Sequence, residues 1–421
     1  MRNFQAYSNS FQAQPRLGLE RIKDMLARLG NPQDALHCIH IGGTNGKGSV
    51  AAFLDAILTH AGKRVGRYTS PNLISVGERI MVGGIPIDDT SLAALLSRIE
   101  VVADATEKAL GEMPTQFEIW TAAAFLYFAE KRCDYVVLEV GMGGEFDATN
   151  VIESCVMSVL TRIDLDHTHF LGNTPEEIAR TKCGIIKQRC ETHTVVSAPQ
   201  TPEVAMVIEE ISQKNGNTPI FVDPPEAKKK YGMQEAFYFP GYGDIRCGLA
   251  GIHQIENAYI ALTCARILNI DIYDAQWGVT FAKHPGRMEV LKKDPLTIYD
   301  GAHNPNGVAA FTTSLERYIG DQPRICIFAC MKDKEIAPSL ALLTKYPAKL
   351  IFTTVQDNPR AMGAKELQKK AEELGYRGEV AENLTLAIIR AEELGLTTLI
   401  CGSLYLYKDL PPHLLSHMAS H

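Results

Sequence analysis

The chain has 421 residues, enough for two domains that each bury a core of their own. Hydrophobic residues make up 46% and charged residues 22% of it, which excludes a disordered or fibrous protein. The formal net charge of -7, with no run of five or more like charges, argues against a nucleic-acid-binding protein. The densest basic run, residues 228–230, is predicted to be a solvated loop.

Cysteine spacing and hydropathy indicate the cellular setting. The ten cysteines occur singly, with no C-x-x-C pair of the kind that binds zinc or forms a redox dithiol. The first 14 residues are polar, and nowhere do 18 apolar residues run together, so no leader peptide or membrane span is predicted. We therefore expect a protein of the reducing cytoplasm without a membrane partner.

The first part of the chain is predicted to form a mostly parallel sheet, because apolar β-branched runs alternate with amphipathic stretches from about residue 35 onward. The predicted strands are 36–41, 64–68, 135–140, 156–161, 194–197 and 219–222. Two further strands, 79–82 and 85–87, flank Gly83-Gly84 and predict a β-hairpin at a sheet edge. The fold class is therefore α/β.

A second α/β series begins after the breaker cluster at residues 284–287. Its predicted strands are 297–299, 325–329, 349–354 and 397–401, and its predicted helices are 305–318, 364–374 and 384–394. This pattern predicts a smaller doubly wound domain. The expected division is residues 1–284 and residues 285–421.

A glycine-rich segment with a lysine follows the first predicted strand and opens a helix. Its residues are Gly43, Thr44, Asn45, Gly46, Lys47, Gly48 and Ser49. Backbone N–H groups, the helix N-terminus and the lysine charge together suit the phosphates of a nucleotide. The usual phosphate-loop pattern would need glycine at Ile41 and a hydroxyl at Gly48, so the segment is a shorter variant. An ordinary glycine-rich turn is the alternative.

Polar residues follow several of the predicted strands in this first part. Ser70 and Glu139 come at strand ends, where ligands collect in open α/β sheets and where Mg²⁺ could find oxygen ligands. Ser-Pro after a strand is also a common turn, whereas a carboxylate buried in an apolar strand without a partner would be costly. The run from Asp164 to His169 could bind a metal or form an ordinary polar loop.

Two later segments could contact a nucleotide. Asn257 lies near the start of a predicted helix, and Asp300 follows the first strand of the second series. An asparagine can bind an adenine edge and an aspartate a ribose hydroxyl, but a helix cap and an Asx turn explain them equally well.

Eight segments in a fixed order carry a resemblance to a known family. They are G-T-N-G-K-G-S from residue 43, T-S-P-N-L from 69, L-E-V-G-M-G-G from 138, D-H-T-H-F-L-G from 166, K-C-G-I-I-K from 182, H-Q-I-E-N-A from 253, H-P-G-R-M-E from 284 and D-G-A-H-N-P from 300. The series resembles the folylpolyglutamate synthase and dihydrofolate synthase family, the folate branch of the Mur-type ligases, over essentially the whole chain.

The resemblance implies a fold and a set of site residues. An N-terminal P-loop domain with a mostly parallel sheet would be followed by a smaller Rossmann-like domain that closes over ATP and binds glutamate. The residues that match ATP contacts of the family are the whole segment from Gly43 to Ser49, Asn257, Arg287, Asp300 and His303. Those that match its ligands for two Mg²⁺ ions are Ser70, Glu139, His167 and Lys182, with Lys182 carboxylated by CO₂. Lys47, Lys182, His167 and Arg287 match its catalytic residues.

The activity implied by the resemblance is ATP-dependent addition of L-glutamate, through an acyl phosphate, to a reduced folate, to dihydropteroate or to both. The family suggests a monomer. Residues that match its folate-binding pieces are Leu17, Phe117, Glu118, Phe146 and Asp147. Two alternatives remain open, namely a Mur-type ligase that acts on a cell-wall precursor and a non-catalytic nucleotide-binding protein.

Overall fold

The computed structural model describes residues 18–166, 168–190, 193–223 and 225–415, without the side chains of residues 168 and 169. These residues form two compact units. Unit 1 comprises the described residues up to Glu226 together with Tyr238–Ile245 and Glu256–Lys283. Unit 2 comprises Ala227–Phe237, Arg246–Ile255 and the described residues from His284 onward.

Unit 1 is built on an eight-stranded sheet. Its strands are β1 (Cys38–Gly42), β2 (Val65–Tyr68), β3 (Ile80–Val82), β4 (Ile85–Pro86), β5 (Tyr135–Glu139), β6 (Met157–Leu160), β7 (Thr194–Ser197) and β8 (Ile220–Phe221). Their order across the sheet is β4-β3-β2-β5-β1-β6-β7-β8. Across the sheet, the neighbouring strands from β2 through β5, β1, β6 and β7 to β8 are all parallel. The β3–β4 hairpin is antiparallel and lies at one edge, as the sequence predicts.

The described residues up to Lys283 contain nine α-helices. They are α1 (Glu20–Arg28), α2 (Lys47–His60), α3 (Asp89–Leu110), α4 (Gln116–Glu130), α5 (Thr168–Leu171), α6 (Pro175–Lys182), α7 (Pro202–Lys214), α8 (Gln254–Ile267) and α9 (Ile272–Phe281). Local chemistry sets several of their ends. Asp88 accepts a hydrogen bond from the Ser91 N–H at the start of α3, and Gly111, with φ of 72°, ends that helix.

The core of unit 1 explains why its central strands are so apolar. All five residues of β1 are buried, and because successive side chains point to opposite faces, both faces of this strand are covered. One apolar cluster joins α1, α3 and α4 to β1, β2 and β5, and another joins α6 and α7 to β6 and β7. The carboxyl ends of the parallel strands therefore meet at one edge of a rigid sheet.

Unit 2 contains a six-stranded sheet. Its strands are β12 (Glu289–Lys293), β13 (Leu296–Tyr299), β14 (Arg324–Phe328), β15 (Ala348–Phe352), β16 (Gly378–Val380) and β17 (Thr397–Cys401). Their order is β12-β13-β17-β14-β15-β16, with β12 antiparallel to β13 and the other pairs parallel. The helices are α10 (Pro305–Ile319), α11 (Ala337–Leu343), α12 (Ala364–Glu373), α13 (Leu384–Leu394) and α14 (Pro412–Leu415). The predicted α/β class is confirmed.

A three-stranded antiparallel sheet was not predicted. Its strands are β9 (Ala227–Tyr231), β10 (Gln234–Phe239) and β11 (Gly243–Arg246), in the order β11-β10-β9. The prediction of a loop at residues 228–230 is wrong, because these lysines lie in β9, although they are exposed as expected. Lysines on an edge strand discourage pairing with another chain, so a basic run is compatible with a strand there.

Within the described parts of the chain, no helix is long and apolar enough to cross a membrane. The ten cysteines are all free thiols, and each of them except Cys190 is buried.

Candidate active site

The glycine-rich segment forms a tight loop between β1 and α2. The strand ends at Gly42 and the helix begins at Lys47. Gly43 and Gly46 have φ of 132° and 94°, a region that residues with a Cβ rarely adopt. A Cβ on Gly46 would lie 2.4 Å from Oδ1 of Asn257, so the close approach of this loop to α8 requires a glycine.

Two lysines converge on the carbonyl oxygen of Gly43. Nζ of Lys47 donates to it at 3.0 Å and to the Thr44 carbonyl at 3.1 Å. Nζ of Lys182, at the end of α6, donates to the same Gly43 oxygen at 2.8 Å. Lys182 is buried, and burial together with the Lys47 charge lowers the pKa of its amine to about 7. Two lysine side chains thus lie side by side at the glycine-rich loop.

Ser70 and Glu139 also meet at the carboxyl edge of the sheet. Glu139 is the last residue of β5, is buried, and pairs in register with Ile41 of β1, next to the loop. Its Oε2 accepts a hydrogen bond from the Ser70 N–H at 3.0 Å. A buried carboxylate beside a serine provides the hard oxygen atoms that Mg²⁺ prefers.

The segment after β6 lies against the first half of residues 43–49, the predicted phosphate loop. Thr44 N–H donates to the Arg162 carbonyl at 2.9 Å, and the Thr44 hydroxyl contacts the backbone of Asp164. His167 lies outside the described residues. Among those that are described, no group of three or more His, Cys, Asp or Glu side chains converges on one point.

The loop that follows Glu139 packs on the end of α6. A Cβ on Gly144 would lie 2.7 Å from the carbonyl oxygens of Thr181 and Lys182. Asp147 is buried and holds this loop, because its carboxylate accepts hydrogen bonds from the Met142 N–H at 2.8 Å and the Thr149 N–H at 3.0 Å. Burial raises the pKa of the Asp147 carboxyl, against these hydrogen bonds, which lower it. The structure therefore gives Asp147 a positioning role within the protein.

The other folate-site candidates are distributed around α4 and the same loop. The Phe117 ring packs against Gly141, where a Cβ would lie 2.4 Å from Cζ of the ring, and Phe146 is exposed. Glu118 is buried and caps α4, with Oε2 accepting from Nε of Arg21 at 3.1 Å. Its Oε1 is buried without a hydrogen-bond partner within the described ranges. Leu17 lies outside those ranges.

Asp300 forms the centre of a second cluster, which lies in unit 2. Its carboxylate accepts hydrogen bonds from the Met288 N–H at 2.8 Å and the Ala302 N–H at 2.7 Å. Burial raises the pKa of Asp300, and the nearby Arg287 charge opposes that effect. His303 places Nδ1 2.9 Å from the Gly301 carbonyl. The motifs around residues 287 and 300, 12 positions apart at the Met288–Asp300 contact, thus form one local structure.

His253 has no role in the sequence-based predictions, yet it belongs to the same neighbourhood of unit 2. Burial, followed by the charge of Arg287, lowers the pKa of His253 to about 4. Its ring lies close to Gly251, where a Cβ would be 2.7 Å from Cε1. The segment H-Q-I-E-N-A contains it, but nothing in the sequence indicates that this histidine lies beside Arg287.

Comparison with known proteins shows the class of protein to which the chain belongs. Residues 41–265 match the Mur ligase middle domain, and residues 286–404 match the glutamate ligase domain of the Mur ligases. Together with the phosphate loop and the strand-end carboxylate, these matches define an ATP-dependent ligase that joins an acid to an amino acid.

Individual relatives show to which branch of the Mur ligases the chain belongs. The chain is 36% identical to a dihydrofolate synthase/folylpolyglutamate synthase of Bacillus subtilis, over 93% of this chain and 94% of the relative. It is 34% identical to a folylpolyglutamate synthase of Lacticaseibacillus casei, over 85% and 86%. A Mycobacterium tuberculosis folylpolyglutamate synthase solved with ADP and AMPPCP superposes with a TM-score of 0.89 at 30% identity, covering 99% of this chain and 98% of that one. The chain belongs to the folylpolyglutamate and dihydrofolate synthase family.

Proposed function

We propose that the chain uses ATP to join the amino group of L-glutamate to a carboxylate of a folate, and that the loop from Gly43 to Ser49 holds the ATP phosphates. The observation that carries this proposal is the convergence of Lys47 and Lys182 on the Gly43 carbonyl, next to the buried carboxylate of Glu139. Folate ligation is favoured over a cell-wall acceptor because the relatives and solved neighbours are folate enzymes.

The proposed reaction has two steps. The substrate carboxylate attacks the γ-phosphorus of ATP, so that an acyl phosphate forms and ADP leaves. The glutamate amine then attacks the acyl carbon, and phosphate leaves as the amide bond forms. Lys47 and Arg287 would neutralise charge on the transferring phosphoryl group, and Asn257, Asp300 and His303 would bind the rest of ATP.

Mg²⁺ would be held by Ser70, Glu139, His167 and Lys182. When bound, it supplies positive charge that stabilises the phosphate oxygens during transfer. The neutral amine of Lys182 fits a carbamate role, because its nitrogen can attack CO₂ and release a proton, which leaves a carboxylate on the side chain. Burial favours the neutral amine by lowering its pKa to about 7.

We also propose dihydropteroate as an acceptor, since the Bacillus subtilis relative is named for both activities and an Escherichia coli neighbour was solved with DHPP and ADP, at a TM-score of 0.85. The free thiols fit a reducing compartment, and we infer the cytoplasm.

The test is glutamate-dependent release of ADP from Mg-ATP, with tetrahydrofolate and dihydropteroate offered separately and a cell-wall precursor as a third acceptor. Release is expected with each of the first two and not with the third. Release with neither folate compound would refute the proposal. A Lys182→Ala enzyme is expected to be inactive and to regain part of its turnover in acetate or formate; full activity without rescue would refute the carbamate.

A further inference from the structure

We propose that the hydroxyl of Thr44 is a positioning group that fixes the 162–166 segment relative to the phosphate loop. The proposal rests on the proposed function, in which that segment leads to the metal ligand His167. Oγ1 of Thr44 donates a hydrogen bond to the Asp164 carbonyl at 2.9 Å and accepts one from the Asp164 N–H at 3.0 Å. The Thr44 N–H donates to the Arg162 carbonyl at 2.9 Å. Both donors of Thr44 are therefore engaged with this segment.

The rest of the segment is held from other directions. Thr161 N–H donates to the Gly42 carbonyl at 2.9 Å, and the Ile163 N–H donates to Oε1 of Gln200 at 3.0 Å. The Arg162 side chain pairs with Glu256 at 2.8 Å. These contacts fix residues 161–163, and the Thr44 hydroxyl extends the anchoring to residue 164, two positions before Asp166.

The phosphate loop also contacts the other side of the site. Nζ of Lys182 donates to the Gly43 carbonyl, one residue before Thr44, at 2.8 Å. A shift of the 162–166 segment against Thr44 would thus change its distance to both the phosphate loop and Lys182. We infer that Thr44 holds the part of the protein that binds phosphate and the part that binds metal at a fixed separation.

The contact between Thr44 and Asp164 requires a hydroxyl group. A threonine hydroxyl has one hydrogen to donate and two lone pairs that accept. The Thr44 hydroxyl acts both as donor and as acceptor toward one residue, Asp164. Thr44 is buried, so valine of nearly the same shape would leave the Asp164 N–H and carbonyl without that partner. Serine keeps the hydroxyl. A hydroxyl that only stabilised the fold would lower the melting temperature and leave the metal dependence unchanged.

The experiment compares Thr44→Val and Thr44→Ser with the wild type. Thr263→Val is the matched control, because its buried hydroxyl donates only to the Tyr259 carbonyl within α8, at 2.9 Å. Three quantities are measured: the Mg²⁺ concentration that gives half-maximal ADP release, the calorimetric affinity for a non-hydrolysable ATP analogue with and without Mg²⁺, and the melting temperature.

For Thr44→Val we expect the half-saturating Mg²⁺ concentration to rise about tenfold, and the gain in analogue affinity conferred by Mg²⁺ to fall by a similar factor. Thr44→Ser should stay within about threefold of the wild type, and Thr263→Val should match it. A folded Thr44→Val protein with wild-type Mg²⁺ dependence would overturn the proposal, as would an equal defect in Thr44→Ser. If the valine variant does not fold, Thr44→Ala replaces it under the same criteria.

The outcome is separable from the proposed function. Absence of glutamate-dependent ADP release in the wild type refutes the folate activity, whereas the analogue-binding measurement needs no acceptor and still reports on Thr44.

Discussion

Replacing Lys182 by methionine should stabilise the protein while abolishing its activity. Methionine fills a similar volume without a charge, and the Gly43 carbonyl that Lys182 contacts keeps its hydrogen bond from Lys47. Burial lowers the pKa of Lys182 from 10.5 to about 7. Because each tenfold change in proton affinity is worth about 1.4 kcal/mol, protonated Lys182 costs the folded state about 5 kcal/mol.

The sign of the pH dependence follows from this difference. Below pH 7 the lysine is protonated in both states, so the full cost is present. Between pH 7 and about 10.5 the unfolded chain binds the extra proton, so the wild type gains stability as the pH rises. The advantage of Lys182→Met is therefore greatest at pH 6 and disappears near pH 10.

Urea unfolding in bicarbonate-free buffer at pH 6, 8 and 10 measures the effect. The chain has two tryptophans, Trp120 and Trp277, and both lie in unit 1 with Lys182, so their fluorescence reports on the relevant unit. Exposed Lys214→Met on α7 is the control and should show no such trend. A Lys182→Met protein that is no more stable than wild type at pH 6, or whose advantage is the same at every pH, would refute this reasoning.

Three further predictions concern unit 1. Lys47→Ala should slow ADP release about 10²-fold or more with a change of no more than about 2 °C in the melting temperature; wild-type turnover would contradict its role. Gly46→Ala places a Cβ 2.4 Å from Oδ1 of Asn257, so calorimetry should show at least about tenfold weaker ATP binding, and unchanged affinity would argue against the loop geometry. Asp55→Asn breaks the buried pair with Arg67, 3.0 Å apart, and should cost about 3–5 kcal/mol in urea unfolding; a cost below about 1 kcal/mol would show the pair to be dispensable.

Most strands of both large sheets could be predicted because burial on two faces selects apolar, β-branched residues. The predicted strands at 194–197 and 397–401 coincide with β7 and β17, and the others differ at one or both ends by one to two residues. The edge strand β9 escaped prediction because its lysines are solvated and backbone hydrogen bonds to β10 hold it in place. A strand whose side chains are solvated shows no apolar pattern in the sequence, because only its backbone groups are paired.

The candidate site was predictable only as a set of motifs. The sequence locates the phosphate loop because a strand, a glycine-rich turn, a lysine and a helix follow one another directly, and each of these is determined by neighbouring residues. The contact between Thr44 and Asp164 spans 120 positions and involves backbone groups, which no residue pattern records. Asp300 illustrates the same limit in its contact with the Met288 N–H, 12 positions away, whereas its contact with the Ala302 N–H is the local turn that the sequence offers as an alternative.

The two departures of the phosphate loop from the usual pattern have a common structural cause. Ile41 lies inside β1, where it is buried and paired with Glu139, so the strand continues past the position at which the usual pattern has its first glycine. Gly48 lies inside α2, which has already begun at Lys47. The loop proper is thus only the four residues from Gly43 to Gly46. Its geometry depends on contacts with Thr161, Asn257 and the 162–164 backbone. For that reason, we expect substitutions in those supporting residues to impair nucleotide binding as much as substitutions in the loop itself.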